Sequence, residues 1–190
     1  MAKIIDLIRR RGTGGFERLL SPHIGHLYRL AYRFCGKRED AEDLVQELLA
    51  KLYPRRREIA ELEYLRPWLN RALYHLFVDG TRREARSPSP REGDDPDTLA
   101  GGGAGPEQGW ERTALQRQIL EAMRRLTPDQ RALVALHDVE GYTLGELTTM
   151  LDTPVGTLKS RLHRARRHLR DALEREPFGA KMRLETETNP

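Results

Sequence analysis

The sequence TLGELTTMLDTPVGTLKSRLHRARRH of residues 143–168 predicts two helices joined by a tight turn. Thr143 and Glu146 have the spacing of a capping box, in which a hydroxyl and a carboxylate each satisfy a free amide at a helix start. Thr153 is the predicted N-cap of the second helix and Pro154 its first residue, because proline has no amide proton to leave unpaired and its φ is already helical. This spacing is that of a helix-turn-helix.

The second helix of this pair has two distinct faces. An apolar face of four residues at helical spacing predicts the core side: Leu158, Leu162, Ala165 and Leu169. The opposite face carries mostly hydrogen-bond donors: Gly156, Lys159, Ser160, His163, Arg164 and Arg167. A basic face on an isolated helix is usually only solvated, but after a short capped helix it favours entry into the major groove of DNA, where such side chains reach base edges. The flanking arginines Arg161, Arg166 and Arg170 are suited to phosphates.

Residues 126–173 carry a dense set of motifs: Pro128-x-x-Arg131, Glu140-Gly141, Gly156-Thr157, and Ser160-Arg161 followed by Arg164-Ala165-Arg166. With these motifs the segment resembles the promoter-binding C-terminal domain of an extracytoplasmic-function sigma factor of the sigma-70 family. The residues expected to contact the distal promoter element are Thr157, Lys159, Ser160, Arg161, His163, Arg164 and Arg167.

Composition favours two small helical domains over one large core, because 190 residues with 38% hydrophobic residues are lean for a single domain. A third of the residues are charged, yet the net charge is only +4, so partners of both signs are expected. The single cysteine, Cys35, excludes an internal disulfide and suits a reducing compartment. We interpret it as a small buried residue.

Hydropathy and the N-terminus predict a cytoplasmic protein with no membrane span. No run approaches the roughly 18 apolar residues of a spanning helix, and the N-terminal apolar run precedes its basic cluster, the reverse of a secretory signal. A short membrane anchor at Ile4, Ile5, Leu7 and Ile8 stays open, although a helix packing on the first domain is favoured. His23 and His26 share a helix face, but without a Cys or Asp at ligand spacing we expect neither a metal site nor a cofactor.

Two helices are predicted in the first part of the chain. The first covers residues 16–35, with Ser21-Pro22 as a cap or kink near its start. The second covers residues 38–53 and has an acidic outer face, which alone would indicate nothing beyond solvation. However, DAEDLVQE of residues 40–47 resembles the polymerase-binding helix of the family. The resemblance implies that Asp40, Asp43, Gln46 and Glu47 contact core RNA polymerase.

Residues 54–63 predict a basic loop, and residues 65–86 predict a helix with the inner stripe Leu69, Leu73, Leu76 and Phe77. Its arginines and aromatic rings suit single-stranded nucleic acid, whose bases stack on rings while cations meet phosphates. For Trp68 and Tyr74 a core role is slightly favoured over stacking. The segment resembles the promoter-melting region of the family through Trp68-Leu69, Asp79, Arg82 and Arg86, with His75 where asparagine is common. The residues expected at the melted element are Trp68, Arg71, His75, Asp79, Arg82 and Arg86.

The remaining segments complete the predicted organisation. Residues 87–109 are rich in Pro, Gly and acids and predict a flexible linker. Residues 110–126 predict a helix leading into a second capping box, Thr127 to Gln130, that opens a helix over 129–139. We therefore expect an all-α fold with an N-terminal domain at 1–86, a linker at 87–109, a C-terminal domain at 110–173 and a mobile tail at 174–190.

The function expected from these features is that of a transcription initiation factor. Its expected partners are core RNA polymerase, double-stranded and melted promoter DNA, and an anti-sigma factor, since no segment is suited to sense a signal. A free-standing helix-turn-helix regulator is the alternative, but it leaves the acidic helix and the basic aromatic segment without a role. A nucleic-acid enzyme would need paired carboxylates or metal ligands near a basic groove, and the sequence offers no such constellation.

Overall fold

The computed structural model describes residues 14–86 and 114–175, and within these ranges the chain is helical without strands. The N-terminal segment, the predicted linker at 87–109 and the predicted tail beyond residue 175 lie outside the described residues. None of the helices in the two described ranges is long and apolar enough to span a membrane. The predicted all-α fold with two helical domains is confirmed.

Within residues 14–86 the N-terminal domain contains four α-helices and one 3₁₀ turn. These are α1 (Gly14–Cys35), α2 (Arg38–Leu52), the 3₁₀ turn (Tyr53–Arg55), α3 (Arg56–Ala60) and α4 (Leu65–Arg86). Helix α1 packs against both α2 and α4. The prediction that Pro22 caps the start of α1 was wrong, since the helix begins at Gly14 and Pro22 lies inside it. Burial of Leu20 and Ile24 on either side of Pro22 holds the helix together where an amide hydrogen bond is missing.

The segment predicted as a basic loop at residues 54–63 is largely helical, which corrects that prediction. Ile59 in α3 is 1% exposed and ties this short helix to the core. On its exposed side the Nη2 atom of Arg55 lies 2.9 Å from Oε2 of Glu58. Arg55 and Arg57 are thus exposed on these helical turns, whereas Ile59 is buried.

The C-terminal domain contains α5 (Ala114–Arg124), α6 (Pro128–Val134), a π-helical turn (Ala135–Val139), α7 (Leu144–Leu151) and α8 (Val155–Arg175). Both predicted capping boxes are present. Thr127 accepts from the Gln130 amide at the start of α6, and Thr143 accepts from the Glu146 amide at the start of α7. Because the Glu146 carboxylate accepts from the Thr143 amide, the pKa of Glu146 is held below its usual value.

The start of α8 differs from its prediction by one residue. The helix begins at Val155, and the Thr153 hydroxyl donates to the carbonyl oxygen of Leu151 over 3.0 Å instead of capping α8. The preceding residue, Asp152, has φ of 47°, the left-handed conformation that ends α7 and turns the chain. This tight turn sets the angle between α7 and α8 of the helix-turn-helix.

The predicted apolar stripes form the core. Leu69 and Leu73 of α4 and Leu158 and Leu162 of α8 are all buried. They belong to one apolar cluster that includes residues from both domains. The domains touch where α6 meets α1 and α4 and where α7 meets α4. This packing places the helix-turn-helix domain beside α4.

Candidate nucleic-acid and protein interfaces

The α8 basic face, defined as Lys159, Ser160, His163, Arg164 and Arg167, is exposed along its whole length. The opposite side of α8 fixes the orientation of this face. There Leu158, Leu162 and Ala165 are buried, and α8 packs against α6 and α7. Of the two other residues predicted at the distal element, Arg161 is exposed and Thr157 is half-buried. The structure therefore brings the predicted residues together on one side of one helix.

Local hydrogen bonds pre-order part of this face. The Ser160 hydroxyl donates to the Thr157 carbonyl oxygen over 3.0 Å, and Nε of Arg164 donates to the Ser160 carbonyl oxygen over 3.3 Å. Both bonds are made to the backbone of the same helix, so contacts with a bound partner can replace them at little cost. Arg166 on the flank is instead tied to Asp138 of the π-helical turn, and this bond raises the pKa of Arg166.

The α4 outer face consists of the exposed residues Arg71, His75, Asp79, Arg82 and Arg86. They recur at intervals of three and four along the helix, which places them on one side. Nε of Arg71 donates to Nε2 of His75 over 3.4 Å. The structure thus presents three arginines, an imidazole and one carboxylate to the same region of solvent.

Trp68 and Tyr74, the α4 aromatic residues considered for base stacking, both pack against the core. The Tyr74 ring meets Phe34 edge-on with centroids 6.4 Å apart, and burial raises the pKa of its hydroxyl. Trp68 is half-buried, and the guanidinium carbon of Arg55 lies 5.8 Å from its ring centroid. The favoured core role is thus confirmed for Tyr74, while Trp68 keeps part of its ring accessible beside a cation.

The acidic α2 face, defined as Asp40, Asp43, Gln46 and Glu47, lies opposite the buried side of α2. Asp43 and Glu47 are exposed, whereas Asp40 and Gln46 are half-buried. Glu47 forms an ion pair of 3.0 Å with Lys51 one turn later. Since both partners are largely exposed, this pair is weak and a partner protein can displace it.

Of the histidine pair on α1, His26 takes part in polar contacts with other side chains. Within residues 14–86 and 114–175 no group of three potential metal ligands is present. Nε2 of His26 lies 2.8 Å from Oδ1 of Asn70. The pKa of His23 is lowered by burial and by the neighbouring His26.

Sequence reasoning missed Asn70, a polar side chain of α4 that is 1% exposed. Its amide nitrogen donates to the hydroxyl oxygen of Tyr142, a residue of the other domain, over 3.0 Å. The available signal was its position directly after Leu69 on the inner side of α4. A buried amide there requires polar partners, but their identity has no local signature.

Two family models match the chain. Residues 19–87 match sigma-70 region 2, and residues 116–169 match sigma-70 region 4. The first match covers α2, α3 and α4 with most of α1, and the second covers the helix-turn-helix with its preceding helices. The three candidate surfaces all lie within these two matches.

Curated relatives belong to the same family. The extracytoplasmic-function (ECF) sigma factor SigE of Mycolicibacterium smegmatis is 34% identical over 160 residues, which span 83% of this chain and 61% of that relative, less than two thirds of its length. A sigma-E factor of Streptomyces antibioticus is 32% identical over 75% of each chain. SigM of Mycobacterium tuberculosis is 32% identical over 81% of this chain and 74% of its own.

A solved structure shares the fold. It is a complex of the sigma factor RpoE with the anti-sigma factor NepR from Bartonella quintana. It is 24% identical to this chain, with a TM-score of 0.63, over 87% of this chain and 100% of its own. The two region matches and the curated relatives lead to one conclusion: the chain belongs to the ECF sigma factors of the sigma-70 family, a family of transcription initiation factors.

Proposed function

We propose that this protein binds core RNA polymerase in the cytoplasm, directs it to specific promoters and assists in melting the DNA. The observation that carries this proposal is the separation of three exposed charged surfaces on three helices: the acidic α2 face, the α4 outer face and the α8 basic face. A free-standing regulator would need only the last of them. None of these roles requires a catalytic residue.

The α8 basic face is proposed to read the distal promoter element in the major groove. Lys159, Ser160, His163 and Arg164 share the exposed side of a helix that follows a capped helix and a tight turn. Lysine and arginine reach guanine acceptors in that groove, while serine and histidine reach several base edges. This set is bordered by Thr157, Arg161 and Arg167. These three residues are proposed to contact the DNA phosphate backbone and so fix the position of the helix along the duplex.

The α4 outer face is proposed to hold the melted element. Its arginines supply cations for the phosphates of a single strand, and Trp68 offers part of a ring for stacking. Tyr74 is withdrawn from this role by its contact with Phe34. His75 and Asp79 lie between the arginines and can form hydrogen bonds with an unpaired base.

The acidic α2 face is proposed to dock on core RNA polymerase through Asp40, Asp43, Gln46 and Glu47. Charge reversal at Asp43 and Glu47 is expected to abolish capture by core polymerase and to change the free energy of unfolding by no more than about 0.5 kcal/mol, since both side chains lie off the core. Reversal of Asp171 and Glu174, two exposed acids of α8, is the matched control and should leave capture unchanged. If the variant with reversed charges at Asp43 and Glu47 still captured polymerase, the acidic α2 face would not be the polymerase-binding surface.

The whole proposal is tested by run-off transcription from a library of genomic fragments with core polymerase and the purified protein. Discrete transcripts that depend on the added protein are expected. A free-standing regulator would instead bind fragments without starting transcription on core polymerase. Transcripts that are identical with and without the protein would contradict the proposal.

We further propose that a protein inhibitor controls the factor in trans. The similar RpoE structure contains an anti-sigma factor, and an inhibitor of this chain must cover surfaces that polymerase or DNA would use. The acidic α2 face and the helix-turn-helix domain are the surfaces we expect it to cover. A stoichiometric partner that blocks polymerase capture should co-purify with the chain from uninduced cells. Full constitutive activity without such a partner would rule this out.

A further inference from the structure

An acidic side chain of the π-helical turn is paired with an arginine at the edge of the α8 basic face. Nε of Arg166 donates to Oδ2 of Asp138 over 3.1 Å, and Nη2 of Arg166 donates to the other carboxylate oxygen, Oδ1. We propose that Asp138 is a positioning residue, which holds the Arg166 guanidinium in the orientation that binds a DNA phosphate beside the major groove. This inference rests on the proposed function, because it requires α8 to enter that groove.

The position of Arg166 on α8 suits a phosphate contact. Arg166 follows His163 by three residues and Lys159 by seven, so at about 100° per residue it lies about 60° around the helix from His163 and almost in line with Lys159. Arg170 continues this row one turn later, and all four side chains are exposed. The centre of a helix in the major groove meets base edges, whereas its flanks meet the phosphates that border the groove. The row that contains Arg166 is such a flank.

The pair with Asp138 uses only one edge of the guanidinium. An arginine has five N–H donors, which form one edge at Nε and Nη2 and a second edge at Nη1 and Nη2. Asp138 occupies the first edge with two bonds, an arrangement that fixes the plane of the guanidinium as well as its distance. The second edge stays available and presents two parallel N–H groups. This edge matches two oxygens of one phosphate, so Arg166 can bind DNA without leaving Asp138.

Asp138 is itself held in place by the π-helical turn. The Glu140 amide donates to the carbonyl oxygen of Ala135 over 3.0 Å, which closes the turn, and Ala135 is buried. Nδ1 of His137 lies 2.6 Å from the carbonyl oxygen of Tyr142. Because a carbonyl oxygen only accepts, this ring nitrogen donates and ties the turn to the chain that leads into α7. A carboxylate on a turn braced in this way can impose an orientation on its partner.

The pair is not needed to hold α8 in the domain. The Arg166 and Asp138 side chains are 51% and 28% exposed, and ion pairs this accessible to water contribute little to stability. Three buried residues on the other side of the helix already fix α8: Leu158, Leu162 and Ala165. An unpaired arginine, however, loses rotamer freedom each time it binds a partner. Asp138 imposes that loss before DNA arrives, so the free energy of binding no longer includes it.

The sign of the effect separates positioning from simple repulsion. A carboxylate near DNA repels phosphates, so its removal alone should strengthen binding to every sequence and steepen the salt dependence. Removal of a positioning carboxylate should weaken promoter binding, because Arg166 then has to be ordered at each binding event. Asp138→Asn keeps the shape of the side chain and removes its charge. The two explanations therefore predict opposite changes for one substitution.

The test is a titration of holoenzyme, assembled from core RNA polymerase and the full chain, against two duplexes. One is a promoter fragment recovered by run-off transcription, and the other is the same fragment with its distal element scrambled. For Asp138→Asn we expect promoter binding to weaken by about twofold to tenfold, which corresponds to the ordering of one long side chain. The slope of log affinity against log salt concentration should become shallower by about 0.9 for the loss of one phosphate contact.

The scrambled duplex supplies the internal comparison. It gives α8 no fixed register, so a pre-oriented arginine has no advantage there, and Asp138→Asn should bind it as well as the wild type or slightly better. The ratio of the two affinities should therefore fall. Asp171→Asn removes an exposed carboxylate from α8 itself and is the matched control. This variant should leave the ratio unchanged.

Three further variants connect the effect to Arg166. Arg166→Lys keeps the positive charge but has no second edge, so it should weaken promoter binding about as much as Asp138→Asn does. The variant with both substitutions should bind no more weakly than either single variant, because Asp138 acts through Arg166. Asp138→Glu keeps the carboxylate and should recover most of the affinity that Asp138→Asn loses. Circular dichroism should show unchanged helicity in every variant.

Several results would overturn the inference. Promoter binding by Asp138→Asn that equals or exceeds that of the wild type would show that the carboxylate does not position Arg166. Additive losses in Asp138→Asn and Arg166→Lys would show that the two residues act separately, and lost helicity would assign the pair to folding instead. A wild-type holoenzyme that does not prefer the promoter over the scrambled duplex is a different result, since it would contradict the proposed function on which the inference rests.

Discussion

Nε of Arg124 donates to the carbonyl oxygen of Gly36 over 2.9 Å, although 88 positions separate the two residues in the chain. Gly36 lies at the turn between α1 and α2, and its φ is 77°. A Cβ atom on Gly36 would come within 2.7 Å of Nη1 of Arg131. The turn therefore needs glycine both for its backbone conformation and for the close approach of the other domain.

Gly36→Ala is accordingly expected to lower the free energy of unfolding by about 1 to 3 kcal/mol, because alanine is strained in the left-handed region and would crowd Arg131. Gly80→Ala is the matched control. It lies inside α4 with nothing within 4 Å of the added Cβ, so it should stabilise the protein by about 0.5 to 1 kcal/mol. Urea denaturation followed by circular dichroism measures both. Equal effects of the two substitutions would refute the explanation given for Gly36.

Arg164→Ala is expected to weaken binding to the distal element by about 1 to 3 kcal/mol and to relax preference at one base pair. Arg167→Ala should weaken binding to all sequences alike, as loss of a phosphate contact does. Titration of each variant against the distal element and against a set of single-base changes distinguishes the two patterns. If Arg164→Ala bound the element as tightly as the wild type, the α8 basic face would be assigned wrongly.

Arg82→Ala combined with Arg86→Ala is expected to leave polymerase capture intact and to reduce formation of the open complex, because both cations belong to the α4 outer face. Permanganate reactivity of thymines near the start site measures melting directly. Polymerase capture by the same variant is the internal control. Full thymine reactivity in the double variant would exclude these arginines from melting.

Cys35 is expected to react slowly with thiol reagents in the folded protein. Burial, with a contribution from Asp40, raises the pKa of its thiol from 9.0 to about 12. At pH 8 about one molecule in ten thousand then carries the reactive thiolate. Reaction with Ellman's reagent at pH 8 should accelerate by about a thousandfold when the chain is unfolded in urea. Equal rates in the two states would contradict the burial of this thiol.

The same shift has a consequence for stability at alkaline pH. The unfolded chain releases the thiol proton near pH 9, while the folded chain keeps it until about pH 12. The folded state therefore binds more protons in this window, and the free energy of unfolding falls as the pH rises through it. Cys35→Ala should flatten that part of the pH profile.

Local patterns predicted much of the helical organisation. The stripe of Leu69 and Leu73 and the capping boxes at Thr127 and Thr143 depend on residues three or four positions apart, and the structure contains all of them. The exposed placement of the α8 basic face followed from the same periodicity. Assignment of these residues to promoter DNA and polymerase stays a prediction.

Features set by distant contacts could not be predicted in this way. Pro22 lies inside α1 because buried neighbours outweigh its missing hydrogen bond, and α3 exists because Ile59 finds a place in the core. Glu140 belongs to the Glu140-Gly141 motif, but its contact with Arg33 could not be predicted because 107 positions separate the two residues. Asn70 meets Tyr142 over 72 positions. Such pairs leave no periodic signal, since each side chain alone is compatible with an ordinary helix surface.

The apolar cluster that continues from Leu20 and Leu27 of α1 to Leu158 and Leu162 of α8 also governs how the protein melts. Two domains with separate cores would absorb heat in two overlapping transitions, each with its own midpoint. A shared core couples them, so a scanning calorimeter should record one endotherm whose measured enthalpy equals the van't Hoff enthalpy. A substitution deep in one domain would then move the melting temperature of the other by the same number of degrees.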